Sequence, residues 1–245
     1  MLLTLPIHDV QPATPRARLV RIDLAGRHFP YESGQAILVA RHGYEPRETA
    51  YSIAAPPEEA ARNGWLELLV GVDDTGTPGP HLHLESGSLV DVEGPIGHFT
   101  FPHEPADAPS VFIAGGTGIA PLRAMIRSAL ASANRRIGLL YSVRTPGDFA
   151  FDQEWRALAR AGRIEYRQTV TRDEASEWTG HRGRISIGDL APLVDGGSTM
   201  CFVCGPPSMV EDVPRLLKNL GVPSDRVYIE EWTSRAENLA EGNAG

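Results

Sequence analysis

Cysteine is scarce in this 245-residue chain, which has only Cys201 and Cys204. Two thiols exclude a four-cysteine iron–sulfur cluster held within the chain, and they exclude the disulfide framework of a small extracellular domain. Their spacing, Cys-Phe-Val-Cys, is formally that of a dithiol redox pair. The run Met200 to Cys204 is apolar throughout, however, and reads as a buried strand. Excess positive charge is also missing. With 23 Lys and Arg against 31 Asp and Glu, the net charge is −8, so a nucleic-acid backbone would meet no basic face and no nucleic-acid partner is expected. No apolar run approaches the ~18 residues of a membrane span, so no membrane insertion is expected. The first dozen residues lack a basic leader ahead of an apolar stretch, which points to the cytoplasm. The Gly-x-Ser-x-Gly turn of a hydrolase is missing. Histidines are scattered, and the one close pair, His81-Leu-His83, has no third ligand in view, so no metal site is expected.

Hydrophobic residues make up 42% of the chain, enough for two cores. The first hundred residues carry short strand signals at Ala17–Leu24, Ala36–Ala40, Trp65–Val72 and Leu89–Val92, broken by Gly and Pro. That spacing predicts a small antiparallel barrel or sandwich. Pro102 to Pro109, with three prolines, reads as a linker. Beyond it the pattern alternates. Strands are predicted at Val111–Ala114, Ile137–Val143, Ile164–Val170, Met200–Val203 and Arg226–Glu230. Helices are predicted over Leu122–Ser132, Asp152–Ala161, Ile187–Val194 and Ser208–Leu220. Strand–helix alternation predicts a parallel sheet covered on both faces. The expected organisation is a barrel over 1–104, an α/β unit over 105–232, and a polar tail over 233–245.

The strongest local signal is Val111-Phe-Ile-Ala-Gly-Gly-Thr-Gly-Ile-Ala-Pro121, a buried strand running through three glycines into a helix. Glycines let a diphosphate approach the backbone, and a helix N-terminus offers free N–H groups and the positive end of its dipole. Pro121 suits a first helical turn. Such a turn is also compatible with a merely structural role. A second one, Cys204-Gly-Pro-Pro-Ser-Met209, lies downstream, and in a doubly wound sheet both would reach the same carboxyl edge, where ligands bind.

Together these two turns resemble the pyridine-nucleotide domain of the ferredoxin–NADP reductase superfamily. The resemblance spans residues 15 to 232 and takes in Tyr51-Ser-Ile53, Gly94-Pro-Ile-Gly-His-Phe99, Tyr141-Ser-Val-Arg144, Thr169-Val-Thr-Arg172 and Gly183-Arg184. It implies an antiparallel flavin-binding β-barrel followed by a Rossmann-like NAD(P)-binding domain. It also implies an FAD-dependent reductase that takes electrons from NADPH or NADH and passes them to an external acceptor, such as a ferredoxin or an oxygenase component. An electron-transfer subunit of a larger complex, or a nucleotide sensor that has lost FAD, are the alternatives.

The resemblance further assigns residues. Tyr51 is expected on the isoalloxazine, with Ser52 near its reactive nitrogen, and Ile53, Thr77 and Arg47 on the flavin side. Gly116, Thr117, Gly118 and Pro121 are expected at the nucleotide diphosphate, and Arg144, Thr171 and Arg172 at a 2′-phosphate. Cys204, Gly205 and Pro206 are expected beside the nicotinamide, and Trp232 as a cover over the flavin. Ser52, Cys204 and Glu231 are expected at the reacting atoms. Two positions depart from the family pattern. Thr49 stands where an Arg usually meets the FAD diphosphate, and Gly79 stands where a Ser or Thr is usual. Losing a charge-assisted phosphate contact of about 1.5–3 kcal/mol weakens FAD by roughly one to two powers of ten, unless Arg47 reaches the diphosphate instead.

Overall fold

A computed structural model describes residues 1–102, 108–132, 136–172 and 177–231. The expected boundary at 104/105, the tail over 233–245 and Trp232 lie outside the described residues.

The first part of the chain forms β1 (Leu2–Thr14), β2 (Ala17–Asp23), β3 (Ala36–Arg41), β4 (Ala50–Ser52), a short helix α1 (Pro57–Asn63), β5 (Trp65–Gly71) and β6 (Leu89–Ile96). The strands are antiparallel in the order β4-β3-β6-β1-β2-β5. An antiparallel bridge from Ile53 to Leu68 joins the two outer strands and closes the sheet into a barrel. Alternate residues face inward, so Leu5, Ile7, Val20, Ile22, Leu66, Leu68, Val70, Val90 and Val92 fill the interior.

β5 is buried on both faces. Leu66, Leu68 and Val70 point into the barrel, while Leu69 joins a core cluster shared with the second unit. This double burial seats one unit on the other.

The second unit runs β7 (Ser110–Gly115), α2 (Ile119–Ser132), β8 (Ile137–Val143), α3 (Asp152–Arg160), β9 (Glu165–Val170), β10 (His181–Arg182), α4 (Ile187–Leu190), β11 (Met200–Gly205), α5 (Pro207–Asn219) and β12 (Val227–Glu231). Its six strands are parallel in the order β10-β9-β8-β7-β11-β12. Phe112 and Ala114 pack toward α2, whereas Val111 and Ile113 pack toward α5. That sandwiching is why β7 and β11 are buried at every position. Among the described residues, no helix is long and apolar enough to cross a membrane.

Candidate functional site at the meeting of the two sheets

From β7 the chain works outward to β8, β9 and β10, then returns on the other side of β7 as β11. The crevice beyond the carboxyl ends of β7 and β11 is therefore the switch point at which doubly wound sheets bind ligands. Both glycine turns open there. A side chain at Gly118 would place its Cβ 2.4 Å from the Cys204 carbonyl oxygen, so glycine is what lets the two turns touch. Tyr141, wholly buried in β8, braces the first turn by donating its hydroxyl to the Gly116 carbonyl at 2.9 Å. Pro121 is buried in the first turn of α2 rather than facing the crevice.

A cleft of about 620 Å³ runs from this point. Gly116, Thr117, Arg144, Thr171, Arg172, Gly205 and Pro206 all line it; Thr14, Arg16 and Leu69 of the barrel form its opposite wall. Arg144 and Arg172 are exposed at its rim and have no carboxylate partner among the described residues. Arg16 crosses from barrel to α/β unit to pair with Asp148. The other carboxylate oxygen of Asp148, Oδ1, is buried in the cleft wall without a hydrogen bond among the described residues. An orphaned acceptor in that position fits a ligand hydroxyl such as that of a ribose.

Where the barrel meets the cleft, three side chains converge. Ser52, at the end of β4, donates its Oγ to Glu230 Oε2 at 3.5 Å. Cys204, at the end of β11, directs its thiol to the same oxygen at 3.8 Å. Glu230 stands beside Cys204 because β12 pairs with β11 in that register. Burial pushes the Glu230 carboxyl up to about 7, against modest opposing hydrogen bonds from Cys204 and Ser52. Burial, and then the neighbouring carboxylate, raise the Cys204 thiol well above its usual range. The acid at this centre is thus Glu230. The sequence pointed to Glu230 and Glu231 together as the acidic end of the chain's last strand and to Glu231 as the reacting acid; Glu231 pairs with Gly205, and its side chain lies outside the described residues.

Three other residues expected on the barrel side are engaged within the protein. Arg47 is clamped by carboxylates: it pairs with Glu45, lies 3.8 Å from Asp91 and 3.5 Å from Glu93, and is mostly buried. Thr77, though exposed, has its backbone N–H and hydroxyl both held by Asp73 at 3.0 Å. Ile53 is fully buried in the barrel interior, where it makes the closing bridge. Tyr51 packs in that interior too, with its hydroxyl 2.7 Å from His81 Nε2. The sequence reading took His81 only as half of a close histidine pair, not as a partner of Tyr51.

Comparison with known proteins agrees with this architecture. The profile of the oxidoreductase NAD-binding domain matches residues 112–215. The chain is 35% identical to ferredoxin–NADP reductase B of Sorangium cellulosum, over 91% of this chain and 94% of that protein. The chain belongs to the ferredoxin–NADP reductase superfamily. A further superfamily relative is the reductase component of propane 2-monooxygenase from Rhodococcus jostii, 32% identical over 94% of this chain and 65% of that protein. Among solved structures, the Amycolatopsis cytochrome P450 reductase GcoB superposes with a TM-score of 0.79 at 27% identity, covering 94% of this chain and 70% of that one.

For a superfamily member, the donor set at the crevice fits a flavin ring. Ser52 offers a hydroxyl and Glu230 a carboxyl that titrates near neutrality. At the diphosphate end the expected contacts, Arg47 and Thr77, are already engaged within the protein.

Proposed function

We propose that the chain is an FAD-dependent NAD(P)H reductase that hands electrons to a separate acceptor. The flavin unit is 1–104 and the nucleotide unit 105–232. The reading rests above all on the convergence of Ser52 from the barrel with Glu230 and Cys204 from the parallel sheet, Cys204 standing next in the chain to Gly205 and Pro206, which line the cleft. A bound flavin supplies the ability to accept two electrons with a proton and to release electrons singly.

The chain's own residues bind, align and handle that proton. Thr117 and the glycine turns cradle the dinucleotide diphosphate at the start of α2. Asp148 Oδ1 accepts from a ribose hydroxyl. Cys204, buried and protonated, shapes the floor on which the nicotinamide rests. Glu230 is poised near neutrality: as a carboxylate it accepts from Ser52, and once protonated at Oε2 it donates to Ser52 Oγ, whose own O–H then turns toward the flavin edge. With Arg144 and Arg172 at the rim and without a carboxylate partner among the described residues, the cleft suits the 2′-phosphate of NADPH, because an arginine fork binds phosphate through two donors.

By likeness to the Sorangium and Rhodococcus proteins, the acceptor is a ferredoxin or an oxygenase component. Stopped-flow reduction with each nucleotide, followed by a panel of acceptors, tests the reading. Flavin absorption bleached by NADPH and restored by an acceptor protein supports it. A colourless protein that ignores added FAD would point to the nucleotide sensor instead.

A further inference from the structure

The loop from Thr77 to Leu82 lies against β3 and β4, and its available donors are few. Pro78 and Pro80 have no N–H. The N–H and hydroxyl of Thr77 are spent on Asp73. Arg47, across the barrel strand, is held among Glu45, Asp91 and Glu93. Asp91 also takes His42 at 2.9 Å and Thr4 at 2.7 Å. That neighbourhood carries more negative than positive charge and would repel a phosphate.

One strong cation remains at the loop. Arg41 ends β3, and its backbone N–H donates to the His81 carbonyl at 2.7 Å. Its Nε donates to the Pro80 carbonyl at 3.3 Å, and its guanidinium lies 4.9 Å from the centre of the Tyr44 ring. It is exposed and has no carboxylate partner among the described residues. The Tyr44 ring and the Pro80 carbonyl hold the fork from one side, and its terminal nitrogens have no hydrogen-bond partner among the described residues.

His81 stands on the same loop, with Nε2 on the Tyr51 hydroxyl. A Cβ at Gly79, whose φ is +105°, would come within 3.3 Å of His81 Nδ1. The glycine at 79 therefore makes room for the imidazole and leaves the backbone there bare.

We infer that Arg41, flanked by His81, holds the flavin's diphosphate in place of Arg47 and of a hydroxyl at position 79. The inference deepens the flavin reading and rests on it. It explains why two departures from the family pattern occur together: the cation moves from the segment just before β4 to the end of β3, and the loop trades a small hydroxyl for an imidazole.

Equilibrium titration of the flavin-stripped full chain, followed by flavin fluorescence, tests it with FAD and with riboflavin, which has no phosphate. Arg41→Gln should weaken FAD about 10–100-fold while riboflavin binding stays as in the wild type. Arg41→Lys, which keeps the charge, should recover part of the loss. Unchanged FAD affinity in Arg41→Gln overturns the assignment, as does a parallel fall for riboflavin, which would mark a merely structural role. A wild-type chain that binds neither compound overturns the flavin reading itself, and the assignment with it.

Discussion

Arg123 offers a direct measure of how the two units are fastened. It lies on α2, its side chain 7% exposed. Nη1 donates to the Ala54 carbonyl at 2.8 Å and to Glu67 at 2.9 Å; Nε donates to Glu154 at 2.9 Å. The guanidinium also lies 4.2 Å from the centre of the Phe151 ring. Ala54 and Glu67 belong to the barrel, Glu154 and Phe151 to the α/β unit. Arg123→Met keeps length and bulk but removes the charge. Glu67 then keeps only Arg21, Glu154 keeps Arg127, and the Ala54 carbonyl loses its partner.

Orphaning one side of a buried ion pair costs about 3–5 kcal/mol, and the remaining arginines set the expected loss near the lower end, about 3 kcal/mol. For a chain of this size that corresponds to a fall in Tm of about 6–12 °C. Scanning calorimetry reads it. Adding Glu67→Leu should restore at least half of the loss, because an apolar pair replaces a buried ionic one at little cost. Ala54 follows Ser52 by two residues, so the single variant should also lower kcat while leaving the nucleotide KM nearly unchanged. A Tm shift under about 2 °C, or a double variant less stable than Arg123→Met, refutes the reasoning.

Three further outcomes are expected. Arg172→Ala should raise KM for NADPH about tenfold, the exposed end of the range for a charge-assisted contact, and leave KM for NADH nearly unchanged; equal effects on both would end the 2′-phosphate assignment. The raised Glu230 pKa means that the folded chain holds a proton the unfolded chain has lost between about pH 4.5 and 7. Stability from this group is present below pH 4.5 and lost as pH rises through 7, by up to about 3 kcal/mol. Urea unfolding at pH 5 and pH 8 should show Glu230→Gln lacking that part of the slope, and an identical slope would refute the burial argument. Gly118→Ala forces a Cβ against the Cys204 backbone; nucleotide affinity should fall at least tenfold, because neither strand end can retreat from a packed core, and wild-type affinity would show the turn to be free to move.

The glycine turns could be read from the sequence because their signal is local: strand, glycines and helix are consecutive. The acid at the centre could not. Glu230 and Glu231 are adjacent, and only the register of β12 against β11 selects the one that meets Cys204. Arg47 misled for a related reason, since the carboxylates that hold it, Asp91 and Glu93, arrive from β6, more than forty residues away. β1 went unrecognised although Leu5 and Ile7 are buried with period two, because Pro6 and Pro12 interrupt the strand signal. The missed helix α1 did carry a start and a stop, Pro57 with two acidic residues in the first turn and Gly64 in the left-handed conformation at its end.

The burial of Cys204 reaches into the chemistry around it. Alkylating agents and peroxides attack the thiolate, and a thiol kept protonated beside a carboxyl offers them little of it. Cys201, also buried, is pushed up to about 12. Sulfur can therefore stand at the edge of the crevice while presenting little of the reactive thiolate.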